Sequence, residues 1–397
     1  MYILFDPTRS RQDLLPLTYT RPIADCRVGI MTIREKWEHY LSDTTCSLTE
    51  LYLEPKFPFC HRSGAHIYIN GSLLPDPTLI AKIRALTLGQ SLIADTQILA
   101  FHSDKAQLSF ENIEAIAHAA DKVNYTESYL RIALPSDIFK YNGAAITADY
   151  AILTKSKASQ TLSQTNTLIG DASQLFIEEG ASVECAVLNV KGGPIYIGRD
   201  TEIMEGCLIR GPFALCDHAG LKMAAKIYGG TTVGPHCRVG GEVSNGVFFG
   251  YSNKGHDGFV GNSVIGEWCN LGADTNTSNL KNNYGNVDVW NYRKEKYIPT
   301  DLQFHGLIMG DHSKSSINTM FNTGTVVGVA ANVFDSGFPD RFIPSFTWGG
   351  ADGMETFRFD KALEVGTRMM ERRHIGLTQV DIDILQVVFD RDAKYRK

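Results

Sequence analysis

The sequence predicts an α/β domain followed by a left-handed parallel β-helix of hexapeptide repeats, with helices at the C-terminus. Two observations carry the β-helix. From Ile197 to Val239 every sixth residue is aliphatic: Ile197, Ile203, Ile209, Leu215, Leu221, Ile227, Val233 and Val239. An amphipathic helix repeats apolar residues every three or four positions and a half-buried strand alternates them, so neither keeps this spacing. A hexapeptide solenoid does. The second observation is the position four residues on, which reads Thr201, Cys207, Phe213, Ala219, Ala225, Thr231, Cys237 and Val243, small with one bulky exception at Phe213. In such a coil the aliphatic residue fills a corner of the interior, and stacked coils pair about 4.8 Å apart.

Strands alternating with helices predict the layered α/β domain over residues 1–150. Tyr2 to Phe5 reads as a buried strand, Met31 to Leu41 as a helix and His66 to Ile69 as a second strand. Pro77 to Leu86 reads as a helix with proline at its start. The Ser/Thr/Gln-rich stretch 155–167, KSKASQTLSQTNT, is the expected linker. Coils are then expected over 165–345, signalled by Ile169-Gly170-Asp171, Ile265-Gly266-Glu267, Leu271-Gly272-Ala273, Met309-Gly310-Asp311 and Val327-Gly328. Residues 244–263 and 279–305 look too polar and glycine-rich for rungs and are read as insertions at corners. Residues 355–397 form helices from Phe359 to Arg373 and Gln379 to Lys394, the latter with Ile382, Leu385, Val388 and Phe389 on one face.

Composition narrows the function. A formal charge of −6 argues against a general nucleic-acid surface. No stretch approaches the roughly 20 apolar residues of a membrane helix, and the start MYILFDPTRSR lacks a signal-peptide core, so a cytoplasmic protein with no membrane partner is expected. The eight cysteines include no CxxC pair, which argues against a thiolate zinc site or a disulfide framework. Cys207 and Cys237, in the small inward position, read as reduced core residues.

The most informative local stretch is 252–283, SNKGHDGFVGNSVIGEWCNLGADTNTSNLKNN. Here His256 precedes Ile265-Gly266-Glu267 by nine residues, and Asn270-Leu271-Gly272-Ala273-Asp274-Thr275 and Asn279 follow. Ile308-Met309-Gly310-Asp311 and Gly324-Thr325-Val326-Val327-Gly328 come next. This pattern, over about 165–335, resembles the bifunctional sugar-1-phosphate nucleotidyltransferase/amino-sugar-1-phosphate N-acetyltransferases of UDP-N-acetylglucosamine biosynthesis. Asp274 departs from it, standing where the family usually has glycine.

The resemblance implies acetyl transfer from acetyl-CoA to an amino-sugar phosphate, with His256 as general base. An amine must be neutral to attack a thioester, and an imidazole, with an ordinary pKa of about 6.5, accepts its proton at neutral pH. Lys254, Asn279, Lys281 and Arg238 are the candidates for the sugar phosphate, and Ala273, Asn318, Gly324 and Gly328 for CoA. A homotrimer is expected, because a lone prism has no deep cleft for the pantetheine arm. His236, His256 and His305 lack the spacing of the zinc-binding hexapeptide carbonic anhydrases.

The N-terminal domain is nucleotidyltransferase-like in Ile3-Leu4, Arg9 and Pro16-Leu17-Thr18, with Arg21-Pro22-Ile23 and Asn70-Gly71-Ser72 where sugar nucleotidyltransferases have Lys-Pro-Leu and Asn-Gly-Asp. Arg9 and Arg21 are candidates for a nucleotide phosphate. No glycine occurs between Tyr2 and Ile23 to bring backbone amides to a triphosphate, however, and Ser72 replaces a magnesium-binding aspartate. Mg2+ and a nucleoside triphosphate are therefore partners only if this domain is active, using Asp6, Arg9, Arg21 and Asp76 differently; otherwise it is a relic that binds without catalysing. Two other readings remain, a nucleotidyltransferase whose β-helix serves only assembly and a non-catalytic scaffold.

Overall fold

The computed structural model describes residues 1–60, 64–105 and 108–396. The chain divides into two compact units: Met1–Cys26 with Met31–Leu134, and Arg27–Ile30 with Pro135–Lys397.

The first unit is a six-stranded mixed sheet flanked by helices. Tyr2–Phe5 pairs in parallel with both Thr45–Leu48 and His66–Asn70, and His66–Asn70 pairs antiparallel with Gln97–Ser103. Helices α1 (Thr8–Asp13), α2 (Ile33–Leu41), α3 (Pro77–Arg84) and α4 (Ile113–Ala119) accompany it. Their starts follow local chemistry: Thr32 and Glu35 form a capping box on α2. Asp76 accepts the Thr78 and Leu79 amides before Pro77 opens α3. Cys46 and Cys60 form a disulfide, Cα atoms 5.8 Å apart. That corrects the expectation of no disulfide, because pairing depends on proximity in space, which a spacing of 14 residues does not reveal.

The second unit is a three-faced parallel β-helix. All eight hexad residues from Ile197 to Val239 point inward, none more than 2% exposed. Ile197 stacks on Leu215 and Leu215 on Val233 along the first face, and Ile203, Leu221 and Val239 do the same along the second. Ile209 and Ile227 stack on the third. Cys207 and Cys237 are free and buried, as expected.

Three boundaries differ from expectation. Helix α5 (Pro135–Thr154) belongs to the β-helix unit rather than to the α/β domain. Its Asn142 amide donates to the Gly230 carbonyl (2.7 Å) and the Thr232 hydroxyl (2.9 Å), and Ile146 and Tyr150 pack with Phe176, Tyr196 and Ala214 on the outside of the first face. The expected linker is the edge coil instead: the Gln160 amide bonds the Ile177 carbonyl, Asn166 bonds Val183 and Ala186, and Leu162 packs against the core. A polar coil at the end of a solenoid is what lets its last apolar layer meet water.

Residues 244–263, read as an insertion, are rungs. Glu242–Gly250 and Phe259–Glu267 pair in register from Glu242↔Phe259 to Gly250↔Glu267. These coils are shortened: Val233 stacks on Phe248 and Phe248 on Ile265. Val243 consequently fills the aliphatic slot beside Ile227 rather than a small position. The second expected insertion stands, carrying an antiparallel hairpin of Asp288–Asn291 with Lys296–Pro299 before the coils resume at Ile308–Met309. Helices α6 (Phe359–Glu371) and α7 (Gln379–Arg391) close the far end, where Phe359 and Phe389 pack on Phe346 and Asp392 accepts the Ser345 amide at 3.1 Å.

Candidate functional site

The corner that follows the second face carries His256. In its coil the face strand is Asn253–Lys254, and Gly255 to Gly258 turn the chain into Phe259–Glu267. A Cβ on Gly258 would collide with the Thr275 carbonyl of the next coil, so only glycine permits this close stacking. The His256 side chain is exposed, and its imidazole makes no hydrogen bond to another described residue. Its two ring nitrogens are thus available to a substrate.

Stacked on this corner are Ala273 with Asp274 and, one coil further, Ile317 with Asn318. The Asp274 amide donates to the Asp257 carbonyl (3.0 Å) and the Asn318 amide to the Ala273 carbonyl (2.8 Å). Asp274 and Asn318 hold φ of 58° and 59°, the left-handed region that glycine favours. This explains why glycine is usual at the Asp274 position. The fold therefore unites His256, Ala273 and Asn318 along one edge. Gly324 and Gly328 lie at the two other corners, so the expected CoA set does not converge on one place.

Lys254 is corrected outright. It stands between Val239 and Leu271 in the interior aliphatic column and is 1% exposed. Its Nζ donates to the Gly240 carbonyl (3.0 Å) and to the carbonyl of His256 itself (2.7 Å). Burial pulls its pKa down to about 8, against the opposing pull of Asp257 and Asp274. A sugar phosphate cannot reach it; the ammonium ties down the corner that presents His256.

Asn279 is also structural: its amide donates to Asn262 Oδ1 (2.8 Å) and its carbonyl accepts the His305 amide (2.8 Å), anchoring the long excursion. Lys281 lies within that excursion, with Nζ on the Asn286 carbonyl (2.6 Å) and 4.0 Å from Asp288. Arg238 is half-buried on the outer side of the second face, pairing with Asn253 of the His256 coil. Sequence reasoning missed the interior role of Lys254, although Phe248, Lys254 and Val260 keep the six-residue spacing.

In the first unit the expected phosphate ligands separate. Arg9 is exposed and 4.0 Å from Asp13, whereas Arg21 is 6% exposed. The residue that organises the segment is Arg11, not anticipated from the sequence and 1% exposed. It donates to Asp6 (2.9 Å), Glu50 (2.9 Å), Tyr52 (3.0 Å) and the carbonyls of Arg21 (3.0 Å) and Thr18. Asp6 also accepts from Thr49 (2.6 Å) and the Ile23 amide (2.9 Å), while its burial raises its pKa. A buried ion-pair network thus holds residues 6–23 where a phosphate loop would need free amides. Ser72 is fully buried with its hydroxyl on Asn70 Oδ1 (2.7 Å), and Asp76 caps α3. This donor set does not fit a magnesium ion, a hard cation that takes carboxylates facing solvent and substrate. Among the described residues no group of three or more His, Cys, Asp and Glu could hold a metal, and no helix is long and apolar enough to cross a membrane.

Residues 2–158 match the family described as sugar nucleotidyl transferase. The chain is 34% identical over 107 residues to the "Bifunctional protein GlmU" of Methanocaldococcus jannaschii, covering 27% of this chain and 26% of that protein. It is 24% identical over 164 residues to the "Uncharacterized acetyltransferase YaiX" of Escherichia coli O6:K15:H31, covering 41% of this chain and 70% of that one. The chain thus spans about a quarter of the length of the first of these relatives. Among solved structures, the polySia-specific acetyltransferase NeuO aligns with 53% of this chain and 94% of its own, at 13% identity and a TM-score of 0.29.

Proposed function

We propose that the β-helix unit is a CoA-dependent N-acetyltransferase acting on an amino-sugar 1-phosphate, with His256 as general base. The observation that carries this reading is an exposed, unengaged imidazole on a corner whose backbone is tied from inside by Lys254. In the reaction the sugar amine attacks the thioester carbonyl, a C–N bond forms and the C–S bond breaks. His256 takes the amine proton and returns one to the CoA thiolate. Backbone N–H groups along the stacked edge can hold the tetrahedral oxyanion. Similarity to a protein called an acetyltransferase and to the bifunctional relative supports the class of reaction.

The active assembly is a homotrimer. Leu208, Met223 and Ile317 are more than half exposed on the third face and on the His256 corner, an apolar surface suited to a neighbour that would complete a cleft for pantetheine. A monomer by light scattering at micromolar concentration would overturn this assembly.

His256→Ala lowers acetyl transfer by roughly 100-fold or more, within the usual range for loss of a general base, and leaves the thermal midpoint nearly unchanged because the side chain is exposed. Full turnover by this variant on amino-sugar phosphates would remove His256 from the mechanism.

The first unit, in this reading, supports little or no magnesium-dependent nucleotidyl transfer, because its loop is locked by Arg11 and its donor set does not fit the metal. Pyrophosphate release from UTP, dTTP, CTP or GTP with sugar 1-phosphates is the assay. Robust release would make the unit a working enzyme and remove the reading of it as a relic.

A further inference from the structure

The corner that follows the first face carries a column of rings. His218, His236, Tyr251, Trp268 and His312 occupy it in successive coils, each amide bonded to the coil before, as His236 to the Asp217 carbonyl (3.1 Å) and Tyr251 to that of Pro235 (2.8 Å). The first four stack face to face with centroids 4.8, 4.6 and 4.2 Å apart. All have φ between 54° and 61°, a left-handed conformation unfavourable for a residue with a side chain. Earlier in the solenoid this corner position is Gly180, which adopts the conformation without that cost. The ring at the end of the column, His218, is exposed, with the exposed carboxylate of Asp200, one coil earlier, 3.7 Å from its Nδ1.

Beside the column lie two guanidiniums. Arg238 runs over the bare backbone of Gly220, where a Cβ would stand 3.2 Å from its Cδ, and its Nη1 donates to the carbonyls of His218 (2.5 Å) and Cys237 (3.0 Å). Arg373, just past α6, donates to Asn253 Oδ1 at 3.4 Å, and Asn253 is the strand partner of Arg238. Both arginines are half-buried, and neither forms an ion pair with a carboxylate among the described residues. Each cation instead weakens its neighbours: burial first and then Arg373 lower the pKa of Arg238. Burial, His218, Arg373 and Arg238 lower that of His236. Glu202 and Asp217 oppose these shifts without pairing. Two guanidiniums that meet at Asn253 without an ion pair repel one another, and an anion between them turns that repulsion into attraction.

We infer that Arg238, Arg373 and the His218 end of the ring column form a binding site for a phosphorylated nucleoside, with phosphate on the two guanidiniums and the base against the rings. Guanidinium forks match phosphate oxygens, and a stacked aromatic wall is the natural partner of a base. The second face runs from this corner to the one that carries His256, so a ligand held here lies on the same side of the prism as the proposed base. The inference rests on the proposed acetyl transfer only for naming coenzyme A as one of two sources; the other is a nucleoside-diphosphate sugar.

Isothermal titration of the full chain with adenosine 3′,5′-bisphosphate, coenzyme A, dephospho-coenzyme A and UDP-N-acetylglucosamine tests it without reference to turnover. The expected result is micromolar binding of at least one probe, weakened about 10-fold in Arg238→Gln or Arg373→Gln and about 100-fold in the double variant. The double variant should also have an equal or higher thermal midpoint, since mutual repulsion is removed; a structural role for the arginines would lower it. His218→Ala should weaken the nucleotides while leaving inorganic pyrophosphate unaffected. Tighter binding of coenzyme A than of its dephospho form identifies the acyl donor as the source, and preference for UDP-N-acetylglucosamine identifies the sugar nucleotide. Absence of binding by every probe at about millimolar concentration, or unchanged binding by the double variant, overturns the inference. The proposed acetyl transfer would survive either result, and binding that persists in an inactive protein would leave this site standing alone.

Discussion

The solenoid contains two stretches of opposite character. From Ile197 to Val239 coils repeat every 18 residues, as Ile197, Leu215 and Val233 show, and the six-residue column is wholly aliphatic, with buried Thr201 and Thr231 confined to the small positions. From Phe248 to Thr277 the coils shorten and the column itself admits Lys254 and Thr277, both buried. Parallel pairing is preserved through both. Backbone hydrogen bonding therefore tolerates a polar interior if each polar group finds a partner, as Lys254 does on two carbonyls. The regular coils supply stability, and the irregular ones spend part of it to hold a corner in place.

Breaking the regular side gives the largest effect. Val233→Asp or Ile227→Asp puts an unpaired carboxylate into a dry column on which neighbouring coils depend, and the expected outcome is loss of the folded solenoid, a cost above about 4 kcal/mol. Circular dichroism and size exclusion check it; a soluble folded variant would contradict the inward register.

On the irregular side, Lys254→Met should leave the chain folded, since methionine suits an apolar column, yet lower acetyl transfer by roughly 10-fold through loss of the tie to the His256 carbonyl. If transfer is unchanged, the interior ammonium does not position the base.

The smallest and most specific effect is on pH. Lys254 has its folded pKa pulled down to about 8 from an ordinary value of 10.5, so the folded chain gives up this proton before the unfolded chain does. Its burial cost is present in full below the folded pKa and is relieved as pH rises through it toward the unfolded value. Wild type should therefore gain stability relative to Lys254→Met between pH 7 and pH 10 as thermal midpoints are compared. A gap constant across that range would show that the ammonium keeps its charge.

The residues themselves determined the coil, its inward column and the capped helix starts. Those features rest on local periodicity and on caps a few residues long, as with the hexads from Ile197 and the Thr32–Glu35 box. His256 was legible because its block resembles a known pattern. Only the tertiary structure decided which polar residues turn inward. The polar, glycine-rich composition of residues 244–263 reads as a break, whereas the place of Lys254 in the column follows from Val239 and Leu271 in adjacent coils. The same holds for Arg11, whose partners Asp6 and Glu50 come from different elements, and for Arg238 with Arg373, brought together by a helix packed on the solenoid far along the chain. A side chain's destination is set by neighbours distant in sequence, and periodicity carries no information about them.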